Sequence, residues 1–510
     1  MDLELRIQRL TLSSAHNLSL ASSRLLERVQ RLGNFRENIP FNPRFSSGKG
    51  EGENGSEDPS ERDRTQHQSS PEVDALAAIK YALAADPLTE FNDIPLNLSR
   101  HLISLFLPYR RYYYFFMDTS RFLECISLPP SHPKSIHPCL LNACYLGASL
   151  VYGEAFSFLQ PFFLRRTRYF LSQSLMWADR LTHFLWASVI LGCYFARVRR
   201  MEECFAVVSP AARLASACGL RFNRNSAGGM DSESRIESEG ALLPPPSDMV
   251  EAMDRIWLAY SVYITDQSMS TVTSFPATFP CDSWPPTSLL HLPHSLDGRE
   301  SNLARIEDSN EHIMASSMKI FEDAKKFAHS ICEKGWKGHE GIYDRLRDRI
   351  SFHQRTLPSI PSPQGLRSSE AALVFNNSVL ALLAHTTIYG SGLIVYSLRA
   401  GDDAEARGQM LKCVGGLVDL SEKVRAHKRL HPANGGIISM VHIMNAVRII
   451  VHELQESKAR SNANLSIHYC DIIGVLLDYL DDSLLRFPAW ADGPISLKDK
   501  VATAASAPLI

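Results

Sequence analysis

Apolar positions recur with helical rather than strand spacing along most of this chain. Met253, Ile256, Trp257, Tyr260 and Ile264 form one stripe, and Leu411, Val414 and Val418 a second. Ile437, Met440, Val441, Met444, Val447 and Val451 make a third, and Ile473, Leu476, Leu477, Leu480 and Leu484 a fourth. Steps of three and four place such residues on one face of an α-helix. Phe184 to Ala196 is apolar on every face, which predicts a helix buried all round. Few runs alternate with a period of two, no strand–helix alternation builds a parallel sheet, and no fixed repeat recurs. The predicted fold class is all-α, a large irregular multi-helix domain.

Local signals set expected boundaries. Asp248 with Glu251 three residues on reads as a capping box. Ser209-Pro210 suits a cap followed by a first helical residue, so a new helix is expected there. Gly219 is the expected left-handed C-terminal cap. Ala371 to Leu398 is long and uncharged, but Asn376, Asn377, Ser378, His385, Thr386, Thr387, Ser391 and Ser397 interrupt it. It reads as a buried helix, or a helix pair broken near Gly390, in preference to a membrane span.

At the N-terminus, Leu3, Ile7, Leu10 and then Leu25, Val29, Leu32 give two short seams of coiled-coil type within residues 1–33, too few heptads to exclude an ordinary amphipathic helix. Residues 34–71 are rich in Gly, Ser, Asn and charge, with almost no apolar residue after Phe45, and are expected to be disordered. Helical patterning then spans residues 72–494, with loops expected at about 223–247 and 285–310 and a tail at 495–510. The N-terminus, charged from its second residue, has no apolar secretory core.

Charge changes the picture little. Lys plus Arg number 53 and Asp plus Glu 55, a formal net charge of -2, so no overall basic bias offers a phosphate-binding surface. Ten cysteines are scattered, several in apolar helical runs (Cys144, Cys193, Cys218, Cys413), and no two form C-x2-C. They read as buried free thiols, and no metal site is written here.

Catalytic patterns are sparse. No G-x-S-x-G elbow or G-x4-G-K-[ST] phosphate loop occurs. His452-Glu453 opens like a zinc-protease helix, but position 456 is Glu where a second His is needed. His137-Pro138-Cys139 reads as loop or helix-start chemistry more readily than as a nucleophile pair. His427, His431, His442 and His452 are close in sequence without a spacing that converges on a metal. Phe106, Tyr109, Tyr112, Tyr113, Tyr114, Phe115, Phe116 and Phe122 crowd one short stretch beside Arg110, Arg111 and Arg121. Helix-end packing explains them more simply than stacking on single-stranded nucleic acid. Arg165, Arg166 and Arg168, and Arg197, Arg199 and Arg200, are short basic clusters. The second suits a helix C-terminus, and a weak nuclear-import signal is the alternative. Asp478 to Leu485 is acidic and apolar, read as a solvated helix face with a coactivator-recruiting segment as the sharper option. No catalytic, cofactor-binding or metal-binding residue is nominated, and any DNA-binding residue is unknown.

Two blocks, THFLWASVILGCYFARVRRMEECFAVVSPAARLASACGLRFN from Thr182 and DMVEAMDRIWLAYSVYITDQSMSTVTSFPATFPCDSW from Asp248, resemble the middle homology region of fungal zinc-cluster transcription factors. Leu102 to Phe122 is similar to the family's first aromatic block, Leu357-Pro358 to a helix stop, and Ala371 to Leu398 to its long apolar helix. Where the family often has Asp-Arg and Gly-Arg-Pro, this chain reads Asp266-Gln267 and Ser274-Phe275-Pro276, keeping the acidic residue and the proline. Members usually continue their helix through the position of Pro210. MDLELRIQRL looks like the linker that follows the zinc cluster.

The resemblance implies a non-enzymatic regulator of RNA polymerase II transcription in the nucleus. Zinc would belong to a cluster absent from these residues, and promoter DNA would be bound only through it. A homo- or heterodimer with a zinc-cluster factor, a coactivator or a small-molecule effector would be partners, with no membrane. The alternative is a helical interaction scaffold or a clusterless co-regulator.

Overall fold

In the computed structural model the described residues are 96–220 (apart from 130 and 152), 242–279 (apart from 274), 301–360, 378–427, 437–484 and 500–504, with Ile94 and Leu497. The expected coiled-coil and disordered segments at 1–33 and 34–71 lie outside them. So do most of the 223–247 loop and of the tail.

Among the described residues the chain is helical, with no strand. The α-helices are α1 (Leu96–Phe106), α2 (Thr119–Ile126), α3 (Pro138–Val151), α4 (Gln160–Met176), α5 (Leu181–Arg197), α6 (Met201–Ala217) and α7 (Met249–Thr273). They continue as α8 (Ser301–Lys334), α9 (Glu340–Thr356), α10 (Val379–Ser397), α11 (Ala404–His427), α12 (Ile437–Ala459) and α13 (Ala463–Leu484). Short 3-10 segments, Leu107–Tyr113 and Gly153–Leu159, follow α1 and precede α4. The loop expected at 285–310 does not extend to 310, and residues 285–300 lie outside the described residues. Its last ten residues begin α8, where Leu303, Ile306, Asn310 and Ile313 keep helical spacing behind Ser301.

Two apolar clusters organise these helices. The first gathers α1 to α7 around α5, whose residues from Leu185 to Ala196 are all buried, as a helix apolar on every face requires. A Cβ at Gly192 would collide with Val208, so this glycine sets the close approach of α5 and α6. The second cluster gathers α9, α11, α12 and α13 around α10. Three helices belong to both, α12 through Ile438 alone in the first. Met314, Ala315 and Met318 of α8 sit in the first core, and Ile320, Ala324 and Phe327 in the second. Val379, Leu380, Leu383 and Ala384 of α10 face the first, and Ile388, Leu393 and Val395 the second.

Two boundaries behave as their chemistry predicts. Asp248 accepts the Glu251 N–H at 2.7 Å, and the Glu251 carboxylate reaches back to the Ser247 N–H at 2.9 Å. The capping box therefore closes one residue earlier than the usual reciprocal pair. Gly219 takes φ +81°, and Leu220 N–H bonds the Ala215 carbonyl at 3.0 Å, closing α6. Burial of α7 goes beyond its predicted stripe: Trp257 to Met269 is buried on all sides.

One boundary differs from the sequence reading. No helix starts at Ser209-Pro210; α6 runs through Pro210. An interior proline costs about 3 kcal/mol. The buried series Cys204, Val208, Ala211, Ala212 and Ala215 holds the helix against its neighbours and outweighs that cost. The Ser209 hydroxyl meets Thr278 Oγ1 at 2.9 Å instead of capping a backbone. Of the two readings offered for 371–398, the described part follows the single buried helix, α10 running unbroken through Gly390. It is one helix, the only one among the described residues long and apolar enough to cross a membrane, and 83% of its apolar window is buried inside the protein. Residues 371–377 lie outside the description.

Candidate functional site

The residues that hinted at chemistry are first placed by what they touch. His137 Nδ1 accepts the Cys139 N–H at 3.1 Å, and the His137 carbonyl accepts the Leu140 N–H at 3.0 Å, so this imidazole caps the start of α3. Burial, reinforced by Arg180 and opposed by Asp179, lowers the His137 pKa to about 4. The Cys139 thiol is buried and burial pushes its pKa up, away from thiolate chemistry. His137-Pro138-Cys139 is helix-start chemistry.

His452-Glu453 dissolves in the same way. Arg407 of α11 bonds Glu453 Oε2 at 2.5 Å and Glu456 Oε2 at 2.8 Å, so the two carboxylates clamp α12 to α11. His452 stands exposed, 3.7 Å from Glu456. His442, on the same helix, is buried edge-on to Phe321 at 4.9 Å between ring centroids. The side chains of His427 and His431 lie outside the described residues. Among the described residues no group of three His, Cys, Asp or Glu is placed to hold a metal ion.

Aromatic crowding between Phe106 and Phe122 is core packing. Phe106, Tyr113, Phe115 and Phe122 are fully buried, and Phe115 meets Trp186 edge-on at 5.1 Å. Neighbouring arginines are engaged: Arg111 pairs with Glu311 at 3.3 Å and Arg121 with Asp248 at 2.7 Å. The two basic clusters are also partly consumed. Arg166 is buried and donates to Asn142 Oδ1 at 3.0 Å; Arg168 and Arg200 share Glu203; Arg197 stacks on Tyr113 at 4.8 Å. The acidic stretch from Asp478 is not a solvated face. Arg425 reaches Asp478 at 3.2 Å and Asp482 at 3.6 Å, and Leu480 is buried.

Helix α7 carries buried carboxylates that the sequence did not single out by role. Asp254 accepts the Asp118 N–H at 2.8 Å, and burial raises its pKa to about 7. Asp266 accepts the N–H groups of Thr278 at 2.6 Å and Phe279 at 2.8 Å, and burial raises it to about 6. These bonds fold the segment after α7 back onto the helix. Asp266 is thus an anchor, and Pro276 lies in the segment it holds.

An open groove of about 330 Å³ lies between α8 and α9. Phe327, Ile342 and Leu346 form its apolar floor; Lys326, Arg345, Arg349 and Asp323 stand at its rim, and Ser330 and His339 complete the lining. Behind the floor, Phe327, Trp336 and Tyr343 pack ring on ring, with Arg399 stacked on Trp336 at 5.1 Å and on Tyr343 at 5.2 Å. Gly335 and Gly338, at φ +74° and +85°, turn the chain between the two helices. No sequence signal marks this groove, because its lining comes from two helices whose crossing is set by tertiary packing.

No protein-family model matches the chain, and no curated protein matches it.

Proposed function

We propose that this chain regulates transcription by RNA polymerase II in the nucleus, as the regulatory part of a zinc-cluster-type factor. One observation carries the reading: the block from Thr182 to Asn223, with its Ala-Ala-Arg-Leu-Ala segment, followed by the Arg-Ile-Trp block from Asp248. Supporting it, the described parts of these blocks form the successive helices α5, α6 and α7 of one core, and Asp266 anchors the segment containing Pro276. The continuous α6 through Pro210 also follows the family's usual pattern. In this reading the chain is non-enzymatic, and promoter recognition comes from a zinc cluster that these residues do not contain.

The experiment tethers the chain to an unrelated DNA-binding domain ahead of a reporter, and follows a tagged chain in cells. A shift in reporter output and nuclear accumulation are expected. An unchanged reporter with cytoplasmic retention would overturn the proposal. In a mobility-shift assay at physiological salt the chain alone should show no sequence-selective binding.

A separate feature favours a second reading, a helical interaction scaffold. At the tip joining α4 to α5, Leu175, Met176 and Trp177 are 51%, 60% and 72% exposed in succession. Consecutive exposed large apolar residues are characteristic of contact surfaces. Loss of a co-purifying partner on Trp177→Glu, with transcripts unchanged by deletion of the chain, would select this reading.

A further inference from the structure

We propose that the α8–α9 groove binds a small carboxylate with an apolar body, of the type of a medium-chain fatty acid or an arylalkanoic acid, with Arg345 as its anion partner. The inference stands apart from the transcriptional reading and does not depend on it.

Size selects the kind of occupant. A volume of about 330 Å³ lies at the lower end of small-molecule sites, roughly 300–1,000 Å³. It suits a metabolite-sized body better than a docked helix. Phe327, Ile342 and Leu346 supply the surface for that body, and Ile342 is 38% exposed despite being aliphatic.

Charge selects the head group. At the rim, Asp323 is already met by Lys319 at 2.9 Å and by Arg349 at 2.8 Å, and Lys326 by Glu322 at 2.6 Å. Arg345 makes no hydrogen bond or ion pair among the described residues, so its guanidinium fork is available. A planar fork of donors matches a carboxylate in bidentate geometry. Ser330 and His339 are engaged with each other at 2.9 Å, leaving Arg345 as the open polar contact of the groove. The ring stack under Arg399 fixes the floor in advance, which lowers the ordering cost of binding.

Calorimetric titration of the full 510-residue chain tests this, with octanoate and 3-phenylpropionate as probes. Their primary amides and inorganic phosphate serve as comparators. The acids should bind with Kd below about 1 mM. The amides should bind about tenfold more weakly, and Arg345→Ala should weaken the acids by about the same factor. Arg345→Lys should recover part of the loss, and Ile342→Asp, at an exposed position, should abolish acid binding while the helical circular dichroism stays native. Absence of acid binding, equal binding of acids and amides, an unaffected Arg345→Ala variant, or phosphate binding as tightly as the acids would each overturn the proposal.

Discussion

His442 lies directly against Gly390, its imidazole ring filling the space that a Cβ at position 390 would occupy. The glycine sits mid-helix in α10, yet its role is contact with α12. Gly390→Ala is expected to destabilise the protein by about 1–3 kcal/mol through overpacking. Gly401→Ala, where nothing lies within 4 Å, should be close to neutral. Urea unfolding of both variants checks the pair. Equal midpoints would mean the ring can move aside freely.

Pro210 gives an unusually direct test of a helix boundary. Inside α6 it withholds an N–H from the Ala206 carbonyl, so Pro210→Ala should stabilise the chain by about 1–2 kcal/mol, the gain reduced by the freer unfolded chain. A first-turn proline would give the opposite sign or no change. Thermal unfolding separates the two.

Acid should loosen the fold. Burial is the main cause that lowers His137 and His312 to about 4, and His183 and His442 to about 3. In the unfolded chain each titrates near 6.5. Their contribution is therefore full above about pH 6.5 and is lost as pH falls through 4 to 3. Asp254 and Asp266 act in the other sense, but four imidazoles outnumber two carboxyls. The urea midpoint should be lower at pH 5 than at pH 7.5, and His442→Met should flatten the slope.

Asp254 can be isolated from that balance. Its folded pKa, raised to about 7, means its contribution is present below about pH 4 and lost as pH rises through 7. Asn keeps an acceptor for the Asp118 N–H and carries no charge. Asp254→Asn should therefore gain stability on the native chain between pH 5 and pH 8, on the order of 1–3 kcal/mol. Parallel pH profiles of the two proteins would contradict the assignment.

Two tryptophans should behave as opposites. Trp186→Ala removes a buried ring packed on Phe115 and should cost about 3–5 kcal/mol. Trp177→Ser, at the exposed tip, should change the unfolding free energy by less than about 0.5 kcal/mol. Denaturant titrations of the two variants measure both.

Periodicity made the all-α class and most helices legible. It located α5 as a buried helix and the stripe of α13 with little error, but in α12 Ile443, Ala446 and Ile450 are more deeply buried than the expected Val441 and Met444. It misplaced the centre of α11, where Met410, Leu417 and Leu420 are more deeply buried than Leu411 and Val418, since neighbours on two sides widen the buried face. A local rule failed at Pro210, where tertiary contacts override propensity. Functional residues were the least legible. Asp266 was visible as a retained acidic position, but its backbone partners 12 and 13 residues away appear only once the chain folds back. Arg345 lies among ordinary surface charges, and only the crossing of α8 and α9 gives it an apolar floor.

Helix α8 is 34 residues long, about 51 Å end to end, and it lies in both cores. Near one end Glu311 holds Arg111 beside the aromatic core; farther along, Phe327 floors the α8–α9 groove. One rod carries both contacts, so the spacing between the Arg111–Glu311 pair and the groove floor is set by helical rise and by no loop.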